Sequence, residues 1–315
     1  MRTAGSVALR RQAAQRWRAV DPMLPEPGFS AVGCGAELLV TGPGGRLLAE
    51  GRCEHWVGVP GSLEPSWGAA RRFQLTPVVG DADVGGALDR LLGRWRDHLA
   101  AVAGAGDPGT AAVVNWPSRD VDGVATLLRR GFDPLEVLAV RPVAARVAVR
   151  DGGLAVRRAG PGDAETVARL GLELIRFDAR FGAVNERPDT LDALRAEAAA
   201  LLAGPEPWTW LAERDGEPVG MLAAQRPDAS GWVAPLVRRA PAAYLMLAFV
   251  GPGTRGAGVG GALTGEFHRA VAAAGVGVTL LHYAQLNPLS APFWNRQGYR
   301  PLWTGWQAYP ASAVR

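Results

Sequence analysis

The segment Ala243–Ala274 constrains this chain more than any other. The apolar run Ala243–Val250 reads as a buried strand, six glycines fall within Gly251–Gly261, and a helix runs on over Gly261–Ala274. Glycine lets a backbone approach a ligand with no Cβ in the way. Consecutive amides at a helix start point their N–H groups outward and favour an anion. The segment therefore predicts a strand–loop–helix that cradles a phosphate group. Gly251-Pro252-Gly253-Thr254-Arg255-Gly256 has the spacing of a dinucleotide fingerprint, but that site also needs an acid about 20 residues on. No Asp or Glu follows Glu266. A Walker loop needs a lysine, and every one of the 34 cationic residues is Arg.

The rest of the chain frames this segment as the later of two similar halves. At 315 residues two domains are expected, here 1–148 and 152–315, with a linker around Pro142–Gly153. In the first half, strands are predicted at Ala36–Thr41, Arg46–His55, Phe73–Val79, Ala111–Asn115 and Leu135–Val140. Helices are predicted at Ala87–Ala103 and Val121–Arg130. In the second, Leu154–Arg157, Trp208–Ala212, Val219–Ala224, Ala243–Val250, Val278–Tyr283 and Leu302–Tyr309 read as strands. Pro161–Asp178, Thr190–Leu202, Gly261–Ala274 and Leu289–Arg296 read as helices. Gly131-Phe132-Asp133-Pro134 is mirrored by Gly298-Tyr299-Arg300-Pro301.

Composition narrows the classes. Hydrophobic residues at 48% and charged residues at 20% suit a globular chain rather than a disordered one. No run approaches the roughly 20 apolar residues of a membrane span. The basic, Ala-rich N-terminus lacks an apolar signal core, so a surface helix and a cytoplasmic location are expected. The all-Arg usage and a single Ile, Ile175, match a GC-rich genome such as an actinobacterial one. Cys34 and Cys53 have no metal-site spacing, and Cys53 with His55 reads as a pair of buried structural residues, so no metal is expected. The stretch from Ser230 onward carries seven Arg and one acid, net +6, while Ala159–Asp228 carries 13 acids and seven Arg, net −6. This pairing suits an anionic cosubstrate and a cationic acceptor. The basic charges are scattered, so nucleic acid is not expected.

Arg255-x-x-Gly258-x-Gly260 after Val250-Gly251-Pro252 resembles the acyl-CoA loop of the GNAT N-acetyltransferases. Asn287-Pro288-Leu289-Ser290-Ala291-Pro292-Phe293-Trp294 and Gly298-Tyr299-Arg300-Pro301 resemble the family's later blocks, in the right order. The resemblance implies an α/β (α+β) fold of two GNAT-like domains. Each would be a mixed, largely antiparallel twisted sheet flanked by helices. It also implies an acetyl-CoA-dependent N-acyltransferase acting by direct attack of an amine, with a non-catalytic acyl-CoA sensor or scaffold as the alternative. On that basis the amides of Arg255, Gly256, Ala257, Gly258, Val259 and Gly260 would cradle the CoA pyrophosphate. The backbone of Phe249 and Val250 would pair with pantetheine, with the Val250 N–H polarising the thioester carbonyl. Asn287 and Ser290 would help hold the pantetheine arm, although Asn287 also suits a helix cap.

Two departures stand out. Trp294 occupies the place where many relatives carry a Tyr that protonates the departing thiolate, and an indole is no acid. The nearest proton carriers are His282 and Tyr283, which face opposite ways on one strand. Glu173, Asp178 and Glu186 are candidate carboxylates for activating the amine. The first half has Val79-Gly80-Asp81-Ala82-Asp83-Val84-Gly85-Gly86 in place of the arginine-bearing loop. Its aspartates would oppose a pyrophosphate, so that half is expected not to bind CoA, and the molecule to be a monomer or homodimer with one live site.

Overall fold

The computed structural model describes residues 4–29, 35–102, 104–143 and 155–315. In chain order its elements are α1 (Ala4–Val20), β1 (Ala36–Thr41), β2 (Leu47–Val57), β3 (Arg71–Val79), α2 (Val84–Ala101), β4 (Thr110–Pro117), α3 (Val124–Arg129) and β5 (Asp133–Pro142). There follow β6 (Ala155–Arg158), α4 (Ala164–Asp178), α5 (Thr190–Leu202), β7 (Thr209–Arg214), β8 (Glu217–Gln225), β9 (Ala242–Val250), α6 (Val259–Ala273), β10 (Val278–Ala284), α7 (Ser290–Arg296) and β11 (Arg300–Ala308). The fold is the expected mixed α/β one. The expected helix over Pro161–Asp178 opens with a 3-10 turn at Pro161–Asp163, where Pro161 has no N–H to give and Asp163 accepts from the Gly160 amide at 2.8 Å. Leu154 and most of the expected linker lie outside the described residues.

The contacts divide the chain into two compact units that are not contiguous in sequence. Met1–Gly58, Ala69–Val137 and Pro301–Arg315 form the first, and Val59–Gly68 with Leu138–Arg300 the second. The first unit's strands lie in the order β1-β2-β3-β4-β11. The β3/β4 pair is parallel and the others are antiparallel. Its core gathers Leu88, Leu91, Leu92 and Trp95, one face of α2, with Leu75, Val114 and Phe132. Trp306 and Ala308 of the chain's last strand complete it. The second unit's strands lie in the order β5-β10-β9-β8-β7-β6, with β9/β10 parallel. The β6/β7, β7/β8 and β8/β9 pairs are antiparallel.

Helix α1 is the surface helix expected, and one side of it is buried. Leu9, Ala13 and Trp17, spaced four apart, form a buried stripe. Leu9 and Ala13 pack on Val78 of β3, and Trp17 meets Trp303 edge-on at 5.1 Å. Of the pair expected to be buried, Cys53 is buried but His55, two residues nearer the end of β2, is exposed. Burial pushes the Cys53 thiol up to about 12, and His55 stacks on Phe73 with centroids 4.5 Å apart. Among the described residues no three His, Cys, Asp or Glu side chains gather to hold a metal. No helix among them is long and apolar enough to cross a membrane.

Candidate functional site

The second unit contains an opening between its two parallel strands. Among the described residues the β9/β10 ladder runs from Ala242/Val278 to Leu245/Leu281, yet β9 continues to Val250 and β10 to Ala284. Beyond that last rung the strands part. On the far side β9 is paired with β8, with Gly220 opposite Val250 and Met221 opposite Phe249. The Gly251 N–H donates to the Val219 carbonyl at 2.9 Å. Antiparallel pairs alternate between hydrogen-bonded and non-bonded types. Gly251, Phe249 and Leu247 therefore turn their polar groups toward β8, while Val250 and Ala248 turn theirs toward the opening. Of the two backbone positions singled out in the sequence, Val250 faces the gap and Phe249 faces β8.

A β-bulge sets which side chains flank this opening. Ala223 opposes Leu247 and Ala224 opposes Leu245, so Met246 is an extra residue. An added Cβ at Gly220 would meet Val259 and Leu263, which marks the face covered by α6. An added Cβ at Gly171 of α4 would meet Leu194 and Met221, which marks the opposite face. Ladder partners share a face. Val250 thus lies on the α6 face, and alternation without the bulge would place Tyr244 there too. The extra residue turns Tyr244 to the α4 face beside Gln225. On β10, Leu281 shares the α6 face with Leu245, so His282 points to the α4 face and Tyr283 to the α6 face. The Tyr244 hydroxyl and His282 Nδ1 lie 2.9 Å apart. The half-exposed Trp232 meets Tyr244 edge-on at 4.7 Å and lies parallel to His282 at 6.2 Å.

The glycine loop closes the wide end of the opening. Gly256 and Gly258 have φ of 80° and 85°, which an L side chain rarely adopts, and an added Cβ at either meets open space. Gly258 is the N-cap of α6 and supplies no side-chain hydrogen bond. The first intrahelical bond is Ala262 N–H to Gly258 O at 3.0 Å, so the Val259, Gly260 and Gly261 amides have no partner within the helix. Gly260 serves packing, because a Cβ there would stand 3.0 Å from the Phe293 ring. Arg255 is held between its Nε–H bond to the Val250 carbonyl, 3.1 Å, and the Phe177 ring, 4.4 Å from its guanidinium carbon. A pyrophosphate fits this arrangement: amides without helical partners, a cradle that side chains would fill, and a cation at its rim.

Helix α4 ends over the same opening. The Asp178 carboxylate accepts from Asn287 Nδ2 at 2.9 Å, and burial raises its pKa while that bond lowers it. Asn287 Oδ1 accepts the Leu289 N–H at 3.0 Å, and its carbonyl accepts the Ser290 N–H at 3.3 Å. Asn287 therefore shapes the start of α7 and tethers Asp178, while Ser290 stands half-buried at the first position of α7. Glu173 and Glu186 are exposed and both bind Arg176. Trp294 is buried between Phe293 and Tyr299. The Tyr299 hydroxyl, raised in pKa by burial, bonds to Thr279 Oγ1 at 3.0 Å. It lies 3.3 Å from His268 Nε2, whose pKa burial and Arg141 depress to about 3. This buried cluster lies on the α6 face. It, Tyr244 and Trp232 were not visible as a group in the sequence.

The corresponding place in the first unit is filled. Its parallel ladder likewise ends early, at Leu75/Val114, while β3 continues to Val79 and β4 to Pro117. There, however, Asp83 caps α2 by accepting the Gly86 N–H at 3.0 Å. A carboxylate of the chain itself thus sits at the helix start. Helix α1 supplies a cation as well: Arg16 pairs with Asp120, donates to the Val79 carbonyl at 3.4 Å, and lies over Trp116. Burial lowers the Arg16 pKa to about 10 against the opposing pull of Asp122 and Asp81.

Comparison with known proteins agrees with the fold. Residues 173–299 match the model of the acetyltransferase (GNAT) family. No curated protein matches the sequence. Among solved structures, a GCN5-related N-acetyltransferase from Sphaerobacter thermophilus is similar over 98% of this chain and 94% of its own, with 15% identity and a TM-score of 0.57. A GNAT-family acetyltransferase from Colwellia psychrerythraea covers 98% and 97%, with 11% identity and a TM-score of 0.50. At these identities the likeness speaks for the fold. Residues 173–299 thus match the acetyltransferase (GNAT) family, and the chain as a whole has the fold of GNAT proteins.

Proposed function

We infer that this protein is an acetyl-CoA-dependent N-acyltransferase with one working site, in its second unit. The observation that carries the reading is the parting of β9 from β10 after Leu245/Leu281, leading to the uncapped, glycine-lined start of α6. Acetyl-CoA would supply the thioester. The Gly256, Gly258, Val259 and Gly260 amides and Arg255 hold its pyrophosphate, while the Ala257 N–H donates to the Thr254 carbonyl at 3.4 Å. The backbone of Ala248 and Val250, rather than Phe249, pairs with pantetheine, and the Val250 N–H donates to the thioester carbonyl. A fixed donor of this kind needs no reorganisation during the reaction.

The acceptor amine must arrive neutral, and His282 would take its proton at the imidazole; the Tyr244 hydroxyl, 2.9 Å from Nδ1, supports this reading by holding the ring. Asp178 and Asn287 hold each other beside the arm, and Ser290 completes that wall. Domains 1–148 and 152–315 remain the reading of chain order, with the first half a supporting, non-binding copy. The acceptor is an amine of a small molecule or peptide, and the cytoplasm is its setting. The buried Trp294 favours a second reading, an acyl-CoA sensor without turnover. Thiol release from acetyl-CoA with a panel of primary amines separates the two. Turnover that falls with His282→Ala supports the enzyme, whereas saturable binding with no turnover on any amine supports the sensor.

A further inference from the structure

We propose that Trp232, Tyr244 and His282 form the acceptor subsite and that it takes a primary amine carried on a flat aromatic ring. The inference rests on the acyltransferase reading above. Tyr244 stands one residue before the last β9/β10 rung and His282 one residue after it, on the same face. The cluster therefore stands at the narrow end of the opening, where the arm held by Ala248 and Val250 points.

Trp232 is 52% exposed and yet fixed in orientation. Its Nε1–H donates to Gln225 Oε1 at 2.9 Å, its edge meets Tyr244, and its plane lies within 8° of that of His282. A large ring held at the surface by its own hydrogen bond is a preorganised stacking surface, costing little further order when a second ring arrives. Charge recognition of a polyamine finds less support. Glu165 is paired with Arg169 and Arg195, Asp192 with Arg195, and Glu173 and Glu186 with Arg176. These four carboxylates of the acidic stretch are thus engaged by arginines of the same stretch.

The test compares 2-phenylethylamine, its saturated cyclohexyl counterpart and spermidine as acceptors for the full chain. Calorimetric titration of acetyl-CoA runs in parallel. The aromatic amine should have the highest kcat/KM. Trp232→Ala should raise its KM about tenfold, the size of one lost ring–ring contact, and Trp232→Phe should recover most of that. Neither change should alter the Kd for acetyl-CoA. Equal use of the saturated amine, a preference for spermidine, or a Trp232→Ala enzyme with unchanged KM overturns the aromatic subsite while leaving the acyltransferase standing. Absence of acetyl-CoA binding overturns the underlying reading instead.

Discussion

Asp178 and His282 are held in ways that separate their roles. Asp178 is half-buried and its pKa is raised from 3.8, chiefly by desolvation. Its ionised form is therefore less favourable in the folded chain than in the unfolded one. Stability drops as pH climbs from the unfolded value through the folded one, and the penalty stays in place above that window. Asp178→Asn keeps an oxygen for Asn287 Nδ2 and removes the charge. It should raise Tm at pH 8 while leaving Tm at pH 3 nearly unchanged, as calorimetric scans at the two pH values would reveal. For His282→Ala the expected loss is in kcat, about 10²- to 10⁴-fold, with the KM for acetyl-CoA little altered. Steady-state kinetics at saturating amine would check this. The glycines, Arg255 and Asn287 could be read from sequence because their spacing is local. Tyr244 could not be placed, because one extra residue at Met246 reverses the face it occupies. Trp232 sits in a loop that has no periodicity to read.

The two strand–loop–helix elements show how one frame can serve two ends. Both units part a parallel pair of strands just before a helix. In the second, the helix begins at Gly258 with no side-chain cap, and in the first Asp83 fills that role. The aspartates of the first loop were visible in the sequence as charges hostile to phosphate. Their structural work was not, because it depends on Arg16 and on a cap with left-handed backbone at Asp83, φ 52°. The buried side of α1 was not legible for a related reason: its arginines dominate the segment, while the Leu9–Ala13–Trp17 stripe is only three residues long. If this stripe anchors the helix, Trp17→Ala should cost about 3 kcal/mol or more, as large-to-small core changes do. Denaturant melts would read this as a lower midpoint, and an unchanged midpoint would argue that α1 is only loosely attached.

At the scale of the molecule, chain order and contact order give different partitions. A cut near residues 148–152 follows the repeated pattern of elements. The compact units instead exchange strands: β11 completes the core of the first, and β5 from Leu138 lies beside β10 in the second. Hydrophobic alternation identifies a strand but carries no record of which sheet accepts it, so this exchange was not legible in the sequence. The segment Val59–Gly68, drawn from the first half of the chain, also belongs to the second unit. There Ser66 Oγ meets Thr190 Oγ1 at 2.9 Å and the Pro65 carbonyl accepts from Arg187 at 2.6 Å. Only one of the two openings is expected to bind acetyl-CoA. Calorimetric titration of acetyl-CoA into the full chain and into Gly258→Val, with folding checked by circular dichroism, tests it most directly. One site per chain, lost in a folded Gly258→Val protein, is the predicted result. Two sites per chain, or one that survives the substitution unchanged, would contradict it.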